Sequence, residues 1–131
     1  MIRIAESEWI IMKQLWASSP LTSRQIINNI TDCTNWNDKT VHTLISRLCK
    51  KGAINAVREN GSYSYMYYAA ISEEECIREE TRSFIERIYS GSIKNLISAF
   101  VKDNEMSKED ISELRDFLDE IGRDDKKWQI S

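Results

Sequence analysis

The sequence predicts a mainly α-helical protein with one small β-hairpin. Apolar residues recur at the three- and four-residue spacing of helices along most of the chain. Between Gly52 and Tyr68 this spacing falls to two, and Asn60-Gly61 supplies a turn in the middle. Three helices precede the hairpin and further helices follow it, which is the order of a winged helix-turn-helix domain joined to a helical domain.

Length and composition restrict the classes of protein to which the chain can belong. With 131 residues, of which 41% are hydrophobic, it can bury one ordinary core or two small ones, so a large multidomain enzyme is excluded. No apolar run reaches the roughly 18 residues of a membrane span, and residues 1–8 lack the pattern of a signal peptide. We therefore expect a cytoplasmic protein with no membrane partner.

The cysteines do not form a recognisable site in the sequence. Cys33, Cys49 and Cys76 are far apart and lack the paired spacing of zinc ligands, and His42 is the only imidazole. The sequence therefore predicts neither a disulfide framework nor a metal centre, and it calls for no cofactor. The cysteines are expected to be small buried or incidental residues.

Charge is distributed unevenly, although the net charge of the whole chain is −3. Residues 1–71 carry eight Lys and Arg against five Asp and Glu, whereas residues 72–131 carry ten against sixteen. The basic excess lies in residues 37–51, which contain Lys39, Arg47, Lys50 and Lys51 but only Asp38 as an acid. Such a segment is typical of phosphate binding, although a solvated helix face can have the same composition.

Capping signals limit the three helices that precede the hairpin. Thr22 and Gln25 form a capping box for the second helix, and Asn37 caps the third, which ends at Gly52. Large aromatic side chains dominate small cores, so the tryptophans of this region are expected to anchor the core. The first helix is predicted from the apolar stripe Ala5, Trp9, Met12 and Trp16.

The third predicted helix has two chemically different sides. One side is apolar and suited to packing, and the other carries amines, hydroxyls and a guanidinium. Because these polar groups can bind phosphates and base edges, we predict that this side contacts double-stranded DNA in the major groove. The apolar side consists of Val41, Leu44, Ile45 and Leu48, and the predicted contacts are Lys39, Thr40, Thr43, Ser46, Arg47 and Lys50.

The hairpin is predicted to be the wing of this domain. Arg58 lies near its tip and Tyr65 on its second strand, and both are predicted to contact the DNA backbone. The wing tyrosines have a second interpretation, because a phenol ring can equally cover the sheet. These tyrosines are Tyr63, Tyr65, Tyr67 and Tyr68.

The second half is predicted to be a helical dimerisation domain, residues 72–131, after a DNA-binding domain of residues 1–71. Ser72 with Glu75 and Ser107 with Asp110 form capping boxes, and Gly91 separates two of the helices. A narrow apolar seam on the later helices is typical of helix pairing, and residues 123–131 are predicted to be a polar tail. The residues predicted to form the dimer are Leu96, Phe100, Ile111, Leu114, Leu118 and Ile121.

No catalytic residues are predicted. The acids and arginines of the fourth helix alternate as on a solvated helix, and no nucleophile, base and orienting group converge in the sequence. The chain is therefore not expected to be an enzyme. An alternative is a winged helix that serves as a protein–protein adaptor, since the fold alone does not fix function.

Three segments resemble the bacterial penicillinase and methicillin-resistance repressors, the BlaI/MecI family, with the copper-responsive CopY repressors as relatives. They are residues 5–9, residues 37–52 and residues 89–96. The resemblance covers nearly the whole chain and implies a repressor that binds an inverted-repeat operator as a homodimer through its C-terminal helices. It implies control of genes for antibiotic resistance or metal handling.

The sequence departs from these relatives in two places. Copper-responsive members end in closely spaced cysteine pairs, and residues 124–131 contain none, which argues against the alternative of a CopY-like metal switch. Lactam-responsive members are cleaved at an Asn-Phe bond in the fifth helix by a sensor-linked protease. The matching position here is Ala99-Phe100, which the resemblance marks as the candidate cleavage site.

Overall fold

The computed structural model describes residues 2–123, and its architecture confirms the predicted fold class. Six helices and two strands make up this part of the chain. No helix among the described residues is long and apolar enough to cross a membrane. The predicted polar tail lies outside the described residues except for Arg123. The elements are α1 (Glu6–Ala17), α2 (Ser23–Ile30), α3 (Asp38–Lys51), β1 (Ile54–Arg58), β2 (Tyr65–Ala69), α4 (Glu73–Tyr89), α5 (Ile93–Lys102) and α6 (Lys108–Gly122).

The chain forms two compact units, and the division falls inside α4, between Thr81 and Arg82. The first unit contains α1 to α3, the hairpin and the beginning of α4. Cys76 of α4 is buried in the first core, which explains why the compact unit extends past the hairpin. The functional division predicted at residues 71 and 72 stays a prediction.

The core of the first unit lies between its three helices and the base of the hairpin. α3 contributes its whole apolar side, as the sequence predicts. The buried residues are Ile4, Ile11, Met12, Leu15, Leu21, Ile26, Ile27, Ile30, Val41, Leu44, Ile45, Leu48, Ala53, Ile54 and Cys76.

The predicted stripe of α1 is wrong in part. The helix buries Ile11, Met12 and Leu15, whereas Trp9 and Trp16 lie half-buried at the edge of the core. For Trp16 the polar atom of the indole contributes, because it needs an acceptor when it is buried. Trp16 Nε1 donates to the Ile71 carbonyl at 2.9 Å, and this bond keeps the ring at the margin. Ala5 is exposed and only precedes the helix.

The predicted caps of the second and third helices are confirmed. Thr22 Oγ1 accepts a hydrogen bond from Gln25 N at 3.2 Å, and Gln25 Oε1 accepts from Thr22 N at 2.8 Å. Asn37 Oδ1 accepts from Thr40 N at 2.8 Å. Gly52 ends α3 with φ +83°, a conformation that strains other residues. These local bonds fix where α3 begins and ends.

The hairpin is antiparallel, with Ile54 opposite Ala69 and Arg58 opposite Tyr65. The two-residue spacing also predicts that Tyr63 belongs to the second strand, and this is wrong, because the strand begins at Tyr65. A loop of residues 59–64 intervenes, within which Arg58 Nε donates to the Ser62 carbonyl at 2.8 Å. Leu21 exchanges two backbone bonds with Tyr67, of 3.1 and 2.8 Å, which ties the hairpin to the segment before α2.

A buried ion pair joins the beginning of α1 to the end of α3. The Glu8 side chain is 2% exposed, and its Oε1 accepts hydrogen bonds from Lys51 Nζ and, at 2.7 Å, from Ala5 N. Lys51 Nζ also donates to the Arg3 carbonyl at 2.9 Å. Since Glu8 has almost no access to water, these hydrogen bonds replace the bonds to water that an exposed carboxylate would form.

In the described part of the second unit, the regular elements are helices joined by short turns. α4 ends in a turn where Ser90 and Gly91 have positive φ, and Gly91 N donates to the Ile85 carbonyl at 3.0 Å. Ser92 caps α5, and Ser107 forms a reciprocal box with Asp110 at the start of α6. The predicted box of Ser107 is confirmed, whereas the predicted box of Ser72 and Glu75 is present only in half: Glu75 N donates to Ser72 Oγ at 3.1 Å.

Replacing Lys51 with Met should destabilise the first unit, because it leaves the buried Glu8 carboxylate without its cation. We expect a loss of about 1–3 kcal/mol, reduced from the cost of a fully buried pair because Lys51 is partly exposed. Urea denaturation of the intact protein measures it. Lys50→Met is the matched control, since Lys50 is exposed, and should change stability by less than about 0.5 kcal/mol. Equal losses in the two variants would contradict the role assigned to the pair.

Candidate nucleic-acid interface

The candidate interface is the exposed side of α3. Its opposite side buries Val41, Leu44, Ile45 and Leu48, so the core fixes the rotation of the helix about its axis. The predicted DNA contacts of this helix all lie on the remaining surface. Lys39, Thr43, Ser46, Arg47 and Lys50 are exposed, and Thr40 is half-buried.

The cations of this surface are not neutralised within the first unit. The ion pairs formed by the described residues are Lys13–Glu73, Arg24–Asp38 and Lys51–Glu8. Lys39, Arg47 and Lys50 take part in none of these pairs. Their charges are therefore available to an external anion.

The hydroxyl of Thr43 has a restricted role. Its Oγ1 donates to the Lys39 carbonyl, one turn earlier in α3, at 2.9 Å. Because the proton is used inside the helix, the oxygen is left to accept hydrogen bonds from a ligand. A shallow hollow beside it is lined by Asn37, Lys39, Thr40, Thr43, Leu44 and Arg47.

Side-chain contacts hold both ends of α3. At its start, Arg24 of α2 pairs with Asp38 at 3.2 Å, and both side chains are largely exposed. At its end, Lys51 is bound to Glu8. Lys51 therefore differs from the other cations of the basic segment, because its charge is already paired inside the first unit.

The wing carries the other two predicted contacts. Arg58 and Tyr65 are both exposed, and the Arg58 guanidinium lies 5.9 Å from the Tyr65 ring centroid. Tyr67, by contrast, is half-buried against the core, and burial is the main cause that raises the pKa of its phenol, with Cys49 and Tyr65 adding to it. Tyr67 therefore matches the interpretation in which a phenol ring covers the sheet, and the DNA contact of Tyr65 stays a prediction.

The second unit exposes apolar side chains. Among the residues predicted to form the dimer, Phe100 is 48% and Leu118 44% exposed, while Leu96, Ile111, Leu114 and Ile121 are half-buried. Phe117, which is not among the predicted residues, is an exposed apolar side chain of α6, at 56%. Its spacing of three residues from Leu114 was the signal that could have identified it. Ala99 is half-buried, and both it and Phe100 lie within α5.

The cysteines do not come together. No group of metal-ligating side chains occurs within residues 2–123. Burial raises the pKa of the Cys49 thiol, and burial followed by the charges of Glu75 and Glu73 raises that of Cys76. Cys33 is exposed. A raised pKa lowers the fraction of reactive thiolate at neutral pH.

A capped helix with an unpaired basic side, set beside a two-stranded wing, defines a winged-helix DNA-binding protein. Comparison with known proteins identifies the family. Residues 4–120 match the penicillinase repressor family. The chain is 30% identical to the penicillinase repressor of Bacillus licheniformis over 118 residues, which cover 90% of this chain and 91% of that protein.

Two further relatives agree with this match. The methicillin resistance regulatory protein MecI of Staphylococcus aureus is 32% identical over 115 residues, covering 88% of this chain and 92% of MecI. The solution structure of monomeric Bacillus licheniformis BlaI with the blaP half-operator is 30% identical, with a TM-score of 0.50, covering 57% of this chain and 90% of that chain. The chain therefore belongs to the penicillinase repressor family, which consists of DNA-binding transcriptional repressors and not of enzymes.

The three thiols should differ in reactivity. We expect iodoacetamide at pH 8 to alkylate Cys33 first and Cys76 last, because Cys76 is buried and its raised pKa leaves little thiolate. Raising the pH should accelerate the reaction of Cys49, whose pKa is also raised. Peptide mass spectrometry measures the rates, and the urea-unfolded chain is the control in which the three rates converge. Equal rates in the folded protein would refute the assignment.

Proposed function

We propose that this chain represses transcription by binding an inverted-repeat operator as a homodimer. The observation that carries the proposal is the exposed side of α3, on which Lys39, Arg47 and Lys50 have no acidic partner among the described residues. Because the apolar side of α3 is buried, its cations and hydroxyls face outward. A helix with such an exposed side suits the major groove. The BlaI relative that was determined with a half-operator supports the same function.

The α3 residues have different proposed tasks. Arg47 and Lys39 border the hollow of α3 and suit guanine edges or phosphates, with which they form charge-assisted hydrogen bonds. Thr43 and Ser46 suit base edges, and Thr40 and Lys50 suit the backbone at the two ends of the helix. In the wing, Arg58 and Tyr65 suit an adjacent phosphate.

Loss of the α3 side chains should weaken operator binding. We expect Lys39→Ala, Thr43→Ala and Arg47→Ala each to lose about 1–3 kcal/mol where a base contact is removed, and less where a phosphate contact is removed. The measurement is a fluorescence titration on a duplex that the intact protein selects from a random pool. Arg78→Ala, an exposed cation on α4, is the control and should bind normally. Unchanged affinity in all three variants would refute this interface.

The dimer is proposed to form through the second unit. A second copy of the chain is the proposed occupant of its exposed apolar side chains, because a two-fold protein matches a two-fold operator. Phe100, Phe117 and Leu118 are each at least 44% exposed within the described residues. Exposed apolar groups of this size are typical of an interface.

A charge within this apolar surface should separate the protomers. We expect Leu118→Lys to weaken dimerisation by about 2 kcal/mol or more, since the substitution occurs twice in a symmetric interface. Sedimentation velocity across a concentration series measures the change. Ser112→Lys adds the same charge at an exposed polar position of α6 and should leave the dimer intact. A wild-type chain that is monomeric at micromolar concentration would overturn the proposal.

Release from the operator is proposed to follow proteolysis at Ala99-Phe100, by a protease linked to a sensor, with genes for β-lactam resistance as the targets. The position of this bond in α5 supports the effect of a cut, because cleavage separates α6 from the DNA-binding unit. The functions named for the penicillinase and methicillin-resistance relatives support the choice of genes.

A fragment that ends at Ala99 should lose tight binding to the full operator. Two tethered DNA-binding units gain about a hundredfold to ten-thousandfold through effective concentration, and the cut removes this gain. Gel-shift titration of the fragment beside the intact chain measures the loss, and a single half-site is the control on which the two should bind alike. Equal affinity for the full operator would contradict the dependence on dimerisation, and intact protein in induced cells would contradict cleavage.

A further inference from the structure

The wing tip holds one arginine between two aromatic rings. The Arg58 guanidinium lies 6.0 Å from the ring centroid of Tyr63 and 5.9 Å from that of Tyr65. Tyr65 is the cross-strand partner of Arg58, and its ring lies 6.3 Å from the ring of Tyr67. Arg58 therefore lies beside the tyrosine side chains of the wing.

A hydrogen bond within the wing loop also holds the guanidinium of Arg58. Arg58 Nε donates to the Ser62 carbonyl at 2.8 Å, within the loop that Gly61 bends with φ +82°. The two terminal nitrogens of Arg58 make no hydrogen bond or ion pair with any described residue. The held arginine therefore keeps the donors that form a fork for an oxyanion.

The exposure of Tyr63 is unusual for a ring of its size. It is 93% exposed and lies outside both strands, so it adds nothing to the core. Its ring centroid lies 6.0 Å from the Arg58 guanidinium, at the outer limit of a cation–π interaction. The exposed ring lies at cation–π distance from a guanidinium whose terminal nitrogens are free of partners among the described residues, so an effect on that guanidinium is the role that the geometry offers it.

We propose that Tyr63 is a positioning residue for DNA binding, which acts through its ring to hold Arg58 ready for a phosphate of the operator backbone. The inference rests on the proposed function and adds a residue to it. A free arginine loses rotamer entropy when it binds, and an arginine held between two rings and a carbonyl has already lost part of it. The ring of Tyr63 supplies this effect, and its hydroxyl is not required.

The substitutions that test the proposal separate ring from hydroxyl. Tyr63→Phe keeps the ring and should bind the selected duplex as the wild type does. Tyr63→Leu removes the aromatic face and should bind about three- to tenfold more weakly, and Arg58→Ala should lose more. In the Arg58→Ala background, Tyr63→Leu should have no further effect, because the tyrosine acts through the arginine.

Two controls test whether weaker binding is specific to Tyr63 and whether the variants remain folded. Tyr68→Leu removes a tyrosine of the same wing that is 37% exposed and makes no cation–π contact with Arg58 among the described residues, and it should bind normally. Thermal unfolding should be unchanged in Tyr63→Leu, since the side chain is exposed. The slope of log affinity against log salt concentration should decrease in Arg58→Ala by about the amount that one phosphate contact contributes. In Tyr63→Phe this slope should be the same as in the wild type.

The possible outcomes are distinct. Weakened binding by both Tyr63→Phe and Tyr63→Leu would assign the contact to the hydroxyl and overturn the proposal. Normal binding by Tyr63→Leu, or an additive loss in the double variant, would also overturn it. A wild-type chain that selects no duplex, or that binds DNA without loss in the Lys39, Thr43 and Arg47 variants, would instead refute the proposed function.

Discussion

The burial of one side of α3 is the constraint on which the rest of the first unit depends. The helix must place Val41, Leu44, Ile45 and Leu48 against α1, α2 and the base of the hairpin. At 100° per residue, this requirement alone turns the polar residues outward. The polar side of α3 therefore needs no separate element to present it, because the core that stabilises the unit also orients the helix.

The ends of α3 complete this arrangement by different means. Asn37 closes the start with a local hydrogen bond, and Gly52 closes the end with a left-handed turn that leads directly into β1. The wing therefore follows the helix after only Gly52 and Ala53, and Ala53 is itself buried. This short connection, with its buried Ala53, limits how far the wing can move relative to α3, so the two elements present their exposed surfaces in one arrangement.

The sequence predicted what local chemistry determines. Thr22 with Gln25, and Asn37, were identifiable because a cap joins residues three positions apart. The two sides of α3 were identifiable because helical rotation is fixed. What failed depends on side-chain bonds that no local capping pattern predicts: Trp16 donates to the carbonyl of Ile71, 55 positions later, and Arg58 donates to the Ser62 carbonyl inside the loop. The dimer and cleavage residues remain predictions, since a single chain does not test them.

The Glu8–Lys51 pair has a consequence for how this domain can evolve. Glu8 is buried, and its ion-pair partner Lys51 lies 43 positions later in the chain. A substitution at either position therefore affects the other residue. A neutral residue at position 8 relieves the need for a cation at position 51, whereas loss of the cation first passes through an unstable intermediate. Among homologues, these two positions should therefore change together, and the acid should be the first to go.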